Sequence, residues 1–172
     1  MGEPIDDSCH RTNIQTVTPM SETIQLPIDG TNTPRWEAVP VRRLVDGSYV
    51  ILGTPGFANG FAFGDRVRES VSKPRHFEVV ERGGNVALQV FLKKGKDQAF
   101  TWFGHHLGPL GGQVEGGLDG NGAFLLILTI PISAGFPAIE GLMKRASVEL
   151  SIDSWMYGNV YDDGGKPLNW WA

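Results

Sequence analysis

The chain has 172 residues, 41% of them hydrophobic and 20% charged, with a formal net charge of −4. That length supports one ordinary domain or two very small ones, and the composition excludes a globally disordered chain. Twenty-three glycines and eleven prolines favour many turns and short strands over a helical bundle.

The elements follow in chain order. Residues 1–22 are polar and aperiodic and are expected to be mobile. Strand patterns crowd together after them at 24–28, 36–44, with Val39 and Val41 on one face, and 48–52, beyond the turn signal Asp46-Gly47. Residues 65–71 alternate, with Val67 and Val71 on one face and Arg66 and Arg68 on the other. Residues 76–82 and 85–93 flank Gly83-Gly84, a hairpin signal. Val86, Leu88, Val90 and Leu92 share one face of the second of these strands.

The period then changes. Asp97 is placed to cap a helix bearing Phe100, Phe103 and Leu107, which Gly108-Pro109 ends. A short strand at 113–116, a turn at Asp119-Gly120-Asn121-Gly122 and a continuous apolar strand at 123–130 come next. Pro137 fits the first turn of a helix striped by Ile139, Leu142, Met143 and Ala146. Residues 149–157 alternate as a last strand, with Leu150, Ile152 and Met156 on one side. From Asn85 the order is β-α-β-β-α-β, that of a ferredoxin-like split βαβ. The expected fold is α+β: a β-rich part at 23–84, a small barrel or curled sheet, packed on a ferredoxin-like part at 85–172 with a Trp-rich tail.

Charge limits the function classes. Residues 101–172 carry seven acidic and three basic side chains, which accounts for the whole net charge. Such a surface repels a nucleic-acid backbone and speeds the approach of a basic protein. A single cysteine, Cys9, allows no intramolecular disulfide and no Cys-based zinc site. The first 23 residues hold no apolar run of the signal-peptide kind, and the longest apolar run, 123–130, is too short to span a bilayer. A cytoplasmic bacterial protein is expected.

"TPGFANGFAFGD" (54–65) looks at first like a phosphate loop, but it precedes a strand rather than a helix and lacks both standard nucleotide-loop spacings. Gly56, Gly60 and Gly64 are therefore expected to bend the chain around a core, with Asp65 fixing the corner. His105-His106 is the most enzyme-like pair, yet adjacent helical residues diverge by about 100°, and no H-E-x-x-H accompanies them. The simpler expectation stacks His106 near Trp102 and leaves His105 in solvent. Asp119-Gly-Asn121-Gly begins like a calcium loop but lacks the closing glutamate. Lys93, Lys94 and Lys96 suit a solvated strand end. No metal, cofactor or catalytic set is assigned.

Residues 36–68, "WEAVPVRRLVDGSYVILGTPGFANGFAFGDRVR", resemble a bacterial family catalogued as a domain of unknown function. Its features are a Trp-led strand, a Gly-Tyr hairpin and a P-F-x-A-x-G-x-x-x-G-D-x-V run. Pro55, Phe57, Ala58, Gly60, Gly64, Asp65 and Val67 follow that run, with Gly56 inserted and Asn59 in place of an aromatic. Gly111–Glu115 resembles a later element, so that the likeness spans about 36–130. Small acidic families of this kind include immunity proteins that neutralise antibacterial toxins, some delivered by type VI secretion. The resemblance implies an inhibitor of a toxin, and the acidic C-terminal surface points to a basic one such as a DNase. The contact residues expected from charge and from the terminal tryptophans are Glu115, Asp119, Glu149, Asp153, Asp162, Asp163, Trp170 and Trp171. Glu149 and Asp153 are expected on one face of one strand. The tryptophans could instead fold back onto the core. The alternatives are a small metal-dependent hydrolase at His105/His106 and a ligand-binding regulatory module.

Overall fold

The computed structural model describes residues 22–172 except 29, 31, 32 and 121. The segment expected to be mobile, with Cys9, lies outside the described residues apart from Glu22, which opens the first strand. The described residues form two antiparallel sheets and two α-helices, an α and β mixture rich in strands.

The first sheet is a meander of β1 (Glu22–Ile28), β2 (Arg35–Arg43), β3 (Tyr49–Ile51), β4 (Arg66–Glu69) and β5 (Phe77–Glu81), in chain order with β1 and β5 at its edges. The alternation in β1 and β2 sends Ile24, Leu26, Val39 and Val41 into a core shared with Ile51, Val67 and Ala58. Val71 does not share the face of Val67: β4 ends at Glu69, and Val71 stands in solvent.

The second sheet comes from β6 (Asn85–Leu92), α1 (Lys96–Leu107), β7 (Gln113–Gly120), β8 (Ala123–Pro131), α2 (Phe136–Glu149) and β9 (Ile152–Tyr157). Its spatial order is β7-β8-β6-β9, with every neighbouring pair antiparallel. Val86, Leu88, Val90 and Leu92 of β6 and Phe124, Leu126, Leu128 and Ile130 of β8 join both helices in one core. α1 contributes Ala99, Phe103 and Leu107 at i, i+4 spacing, and α2 contributes Ile139, Leu142, Met143 and Ala146, the stripe its sequence predicts. Asp97 does not cap α1. Gly95, with φ +77°, takes the cap position, and Asp97 lies in the first turn, where its charge favours the helix dipole.

Three other expectations are corrected. Gly83-Gly84 makes no hairpin, because β5 and β6 belong to different sheets. A Cβ at Gly83 would lie 2.3 Å from the carbonyl carbon of Gly64, so this glycine permits two backbones to touch where the chain changes sheets. Glu149 is not in a strand; it is the last residue of α2, separated from β9 by Leu150 and Ser151. The expected shared face of Glu149 and Asp153 therefore does not exist. In β9 the register shifts so that Leu92 opposes Ile152 while Phe91 opposes Ser154. The extra residue, Asp153, reverses the alternation, so Trp155 and Tyr157 join Ile152 on the core side and Met156 is left exposed.

Candidate functional site

The glycine stretch covers the second sheet on the side away from the helices. Thr54 Oγ1 lies 2.5 Å from Thr129 Oγ1 of β8, which in turn donates to Glu115 Oε1 at 2.6 Å. A carboxylate only accepts, so the Thr129 proton is committed to Glu115 and Thr54 must donate to Thr129. The free lone pair of Thr54 then receives the Phe63 N–H at 2.9 Å. Glu115 reaches Thr129 because it is the extra residue of a bulge in β7, between Val114 opposite Leu128 and Gly116 opposite Ile127. Gly56 sits so close to the sheet that a Cβ would lie 2.7 Å from Ile127 Cδ1. Gly60 and Gly64 have φ +90° and +85°.

Three successive amides of this stretch do converge on an anion, and the anion is the chain's own. Glu37 of β2 accepts the N–H of Gly56 at 2.7 Å on Oε1 and those of Phe57 and Ala58, both at 2.8 Å, on Oε2. The phosphate-loop likeness of the sequence thus has a physical basis, an amide nest occupied by an internal carboxylate.

Asp65 fastens the other end. Its fully buried carboxylate accepts from Arg82 Nη1 at 3.0 Å, Gly83 N at 2.8 Å and Ala62 N at 3.0 Å. Burial pushes its pKa up, against the opposing pull of the Gly83 N–H, Arg82 and the Ala62 N–H.

The acidic residues expected to meet a partner are scattered, and most are engaged. Glu115 is held as described. Asp119 pairs with Lys96 at 3.0 Å and Asp153 with Lys93 at 2.7 Å, which also places two of the three strand-end lysines. Glu149 accepts from Trp102 Nε1 at 2.6 Å. Asp162 receives the N–H groups of Gly164 and Lys166 and closes its own loop. Asp163 has no ion pair or hydrogen bond among the described residues. Both terminal tryptophans pack against the helix-side core: Trp170 donates Nε1 to Asn159 O at 2.7 Å beneath the Arg82 guanidinium, and Trp171 meets Phe136 edge-on at 5.2 Å.

Asp162 and Asp163 are brought together with aromatic side chains. They line a cleft of about 750 Å³ with Trp155, Tyr157, Tyr161 and Asn59. The Trp155 and Tyr157 rings meet edge-on at 5.3 Å, and the Tyr157 and Tyr161 rings are tilted at 6.1 Å. Burial first, then the neighbouring Glu140, raises the Tyr157 pKa, so its hydroxyl stays a donor, 3.5 Å from Glu140 Oε1. No Lys or Arg is among the described residues that line the cleft. Sequence periodicity pointed to Met156 as the inward residue. The Asp153 bulge, which put Trp155 and Tyr157 there instead, had no local signal.

His106 stacks on Trp102 with centroids 3.9 Å apart, and its Nδ1 lies 2.7 Å from Trp102 O. His105 is exposed. Among the described residues no three His, Cys, Asp or Glu side chains group as metal ligands would. Asn121 of the expected turn lies outside those residues; Gly120 of β7 pairs with Ala123 of β8.

Residues 37–153 match the family described as "Domain of unknown function (DUF4265)". The chain belongs to DUF4265. The matched region opens on the nest carboxylate, Glu37, and runs through both sheets to Asp153 in β9, so most of the cleft lies beyond it. No curated protein matches this DUF4265 chain. A solved structure of a hypothetical protein from Neisseria gonorrhoeae is similar in fold, with a TM-score of 0.59 at 16% identity over 81% of this chain and 94% of that one. No helix among the described residues is long and apolar enough to cross a membrane.

Proposed function

We propose that this DUF4265 protein is a binding protein rather than an enzyme, an immunity-type inhibitor that holds a basic antibacterial toxin. The sequence resemblance suggests a nuclease effector of type VI secretion as that toxin, met in the cytoplasm. One observation carries the proposal: the cleft that sets Trp155, Tyr157 and Tyr161 beside Asp162 and Asp163 with no basic side chain among its described lining. Aromatic rings give contact area and cation–π attraction, and an unpaired carboxylate gives long-range steering. The ferredoxin-like assignment of residues 85–157 is supported by the β-α-β-β-α-β order and by the spatial order β7-β8-β6-β9.

The test is association kinetics with the co-purifying protein partner at two ionic strengths. Asp163→Lys should slow association several-fold at low salt and less at high salt, because screening acts over about 8–10 Å. Tyr161→Ala should speed dissociation by a factor that salt leaves almost unchanged. Rates unaltered by both variants, with the fold intact, would remove the cleft from the interface.

A further inference from the structure

The cleft runs along a strand edge that no described strand pairs. β9 is the last strand of its sheet, and four consecutive residues, Trp155 to Gly158, line the cleft. In its pairing with β6, Tyr157 opposes Leu88, Met156 opposes Gln89 and Trp155 opposes Val90. Gly158, next in that register, donates its N–H to Ala87 O at 2.9 Å. Hydrogen-bonded positions alternate along an antiparallel pair, so Met156 turns its backbone toward β6 while Trp155 and Tyr157 turn theirs outward, into the cleft. Their side chains stand on one face of the strand, beside Tyr161, and Asp163 also lines the groove, with no ion pair or hydrogen bond among the described residues. The opposite edge of the sheet is treated differently: β7 carries three glycines and the Glu115 bulge, a device that discourages strand pairing. From Ser154 to Tyr157 the β9 edge is regular and holds neither Pro nor Lys.

We infer that the partner enters by strand addition: an extended segment with a basic residue at one end pairs with the outward N–H and C=O groups of Trp155 and Tyr157, and its cation meets Asp163 and the tyrosine rings. This rests on the cleft being the partner site. Charge selects the occupant: a groove lined by carboxylates and aromatics, with no Lys or Arg among its described lining, complements a basic segment, whereas a second copy of this chain, at a net charge of −4, is repelled overall.

The probe is a ten-residue peptide alternating lysine and valine, added to the full chain and followed by tryptophan fluorescence and by amide hydrogen exchange. Saturable binding is expected, with at least tenfold slower exchange at the Trp155 and Tyr157 amides and no comparable change at Met156. Methylating the peptide nitrogens at every second residue should weaken binding at least tenfold in one phase and little in the other. Equal binding of the two methylated peptides, or binding without protection of Trp155 and Tyr157, would overturn strand addition and leave the cleft as a side-chain docking site. Absence of peptide binding would overturn it too. The Asp163→Lys kinetics with the protein partner then report separately on whether the cleft is the partner site. A dimer in which Trp155 and Tyr157 are protected without peptide would give the edge to a second copy and also overturn the inference.

Discussion

Thr54 and Thr129, 75 positions apart in sequence, bring their hydroxyl oxygens to 2.5 Å and couple the glycine stretch to the middle of the second sheet. Both are buried, and their donor order is fixed by Glu115 at the far end. Thr129→Val strands the Thr54 proton and removes a donor from Glu115. We expect a loss of about 1–3 kcal/mol by chemical denaturation. Thr54→Val should cost less than the sum suggests once Thr129 is already Val, with a coupling of about 0.5 kcal/mol or more. Strictly additive losses would mean the two hydroxyls do not interact.

Glu37 offers a sharper case. Glu37→Ala leaves three converging N–H groups without their anion, and a loss of about 2 kcal/mol or more is expected because each was a charge-assisted bond. The emptied nest should accept an oxyanion. Added sulfate should therefore raise the melting midpoint of Glu37→Ala by more than it raises that of the parent, and equal rises would refute an anion-selective nest.

The glycines should rank by cause. Gly83→Ala forces a Cβ into the Gly64 backbone and should cost about 3 kcal/mol or more. Gly60→Ala meets open space but keeps φ +90°, for about 1 kcal/mol. Gly56→Ala presses on the movable end of Ile127 and belongs between them. Thermal or denaturant melts of the three variants decide the order, and Gly60→Ala as the worst of them would contradict it.

At Asp46 the prediction is one of pH. The Ser48 hydroxyl, then its N–H, then Arg66, hold this carboxyl well below the ordinary aspartate value of about 3.9. A lowered folded pKa means the contribution to stability is present above that ordinary value and disappears as pH falls through the folded one. Carboxyl-carbon NMR should find Asp46 still ionised at pH 3, and Asp46→Asn should flatten this part of the acid limb. A midpoint near 3.9 would show that the Ser48 and Arg66 contacts do not hold in solution.

Local pattern revealed the helices and the strand cores, because Ile139, Leu142, Met143 and Ala146 or Val86, Leu88, Val90 and Leu92 write their burial into a period of 3.6 or 2. The continuous run in β8 was legible as a strand covered on both faces, although what covers its second face was not. That cover depends on contacts between residues 19 to 75 positions apart, Glu37 with Gly56 and Thr54 with Thr129, which no window of sequence displays. Gly83-Gly84 was misassigned because a glycine pair signals a tight turn and a close backbone approach with the same letters. The bulge at Asp153 left no letter of its own, and so the aromatic lining of the cleft was assigned to the wrong phase.

The way the glycine stretch lies across the second sheet also orders events during synthesis. Strands β1 to β5 pair only with chain neighbours, so they can zip together while the C-terminal half is still unmade. The underside of Thr54, Pro55 and Gly56 then has nothing to rest on until Ile127 and Thr129 have been added and β8 has settled beside β6. The nascent meander must wait with a sticky flank, and a pause after β5 has left the ribosome but before β8 has would expose it longest. Pulse proteolysis of stalled chains should find residues 52–64 cleavable at stalls where they have emerged and β8 has not, and protected after release.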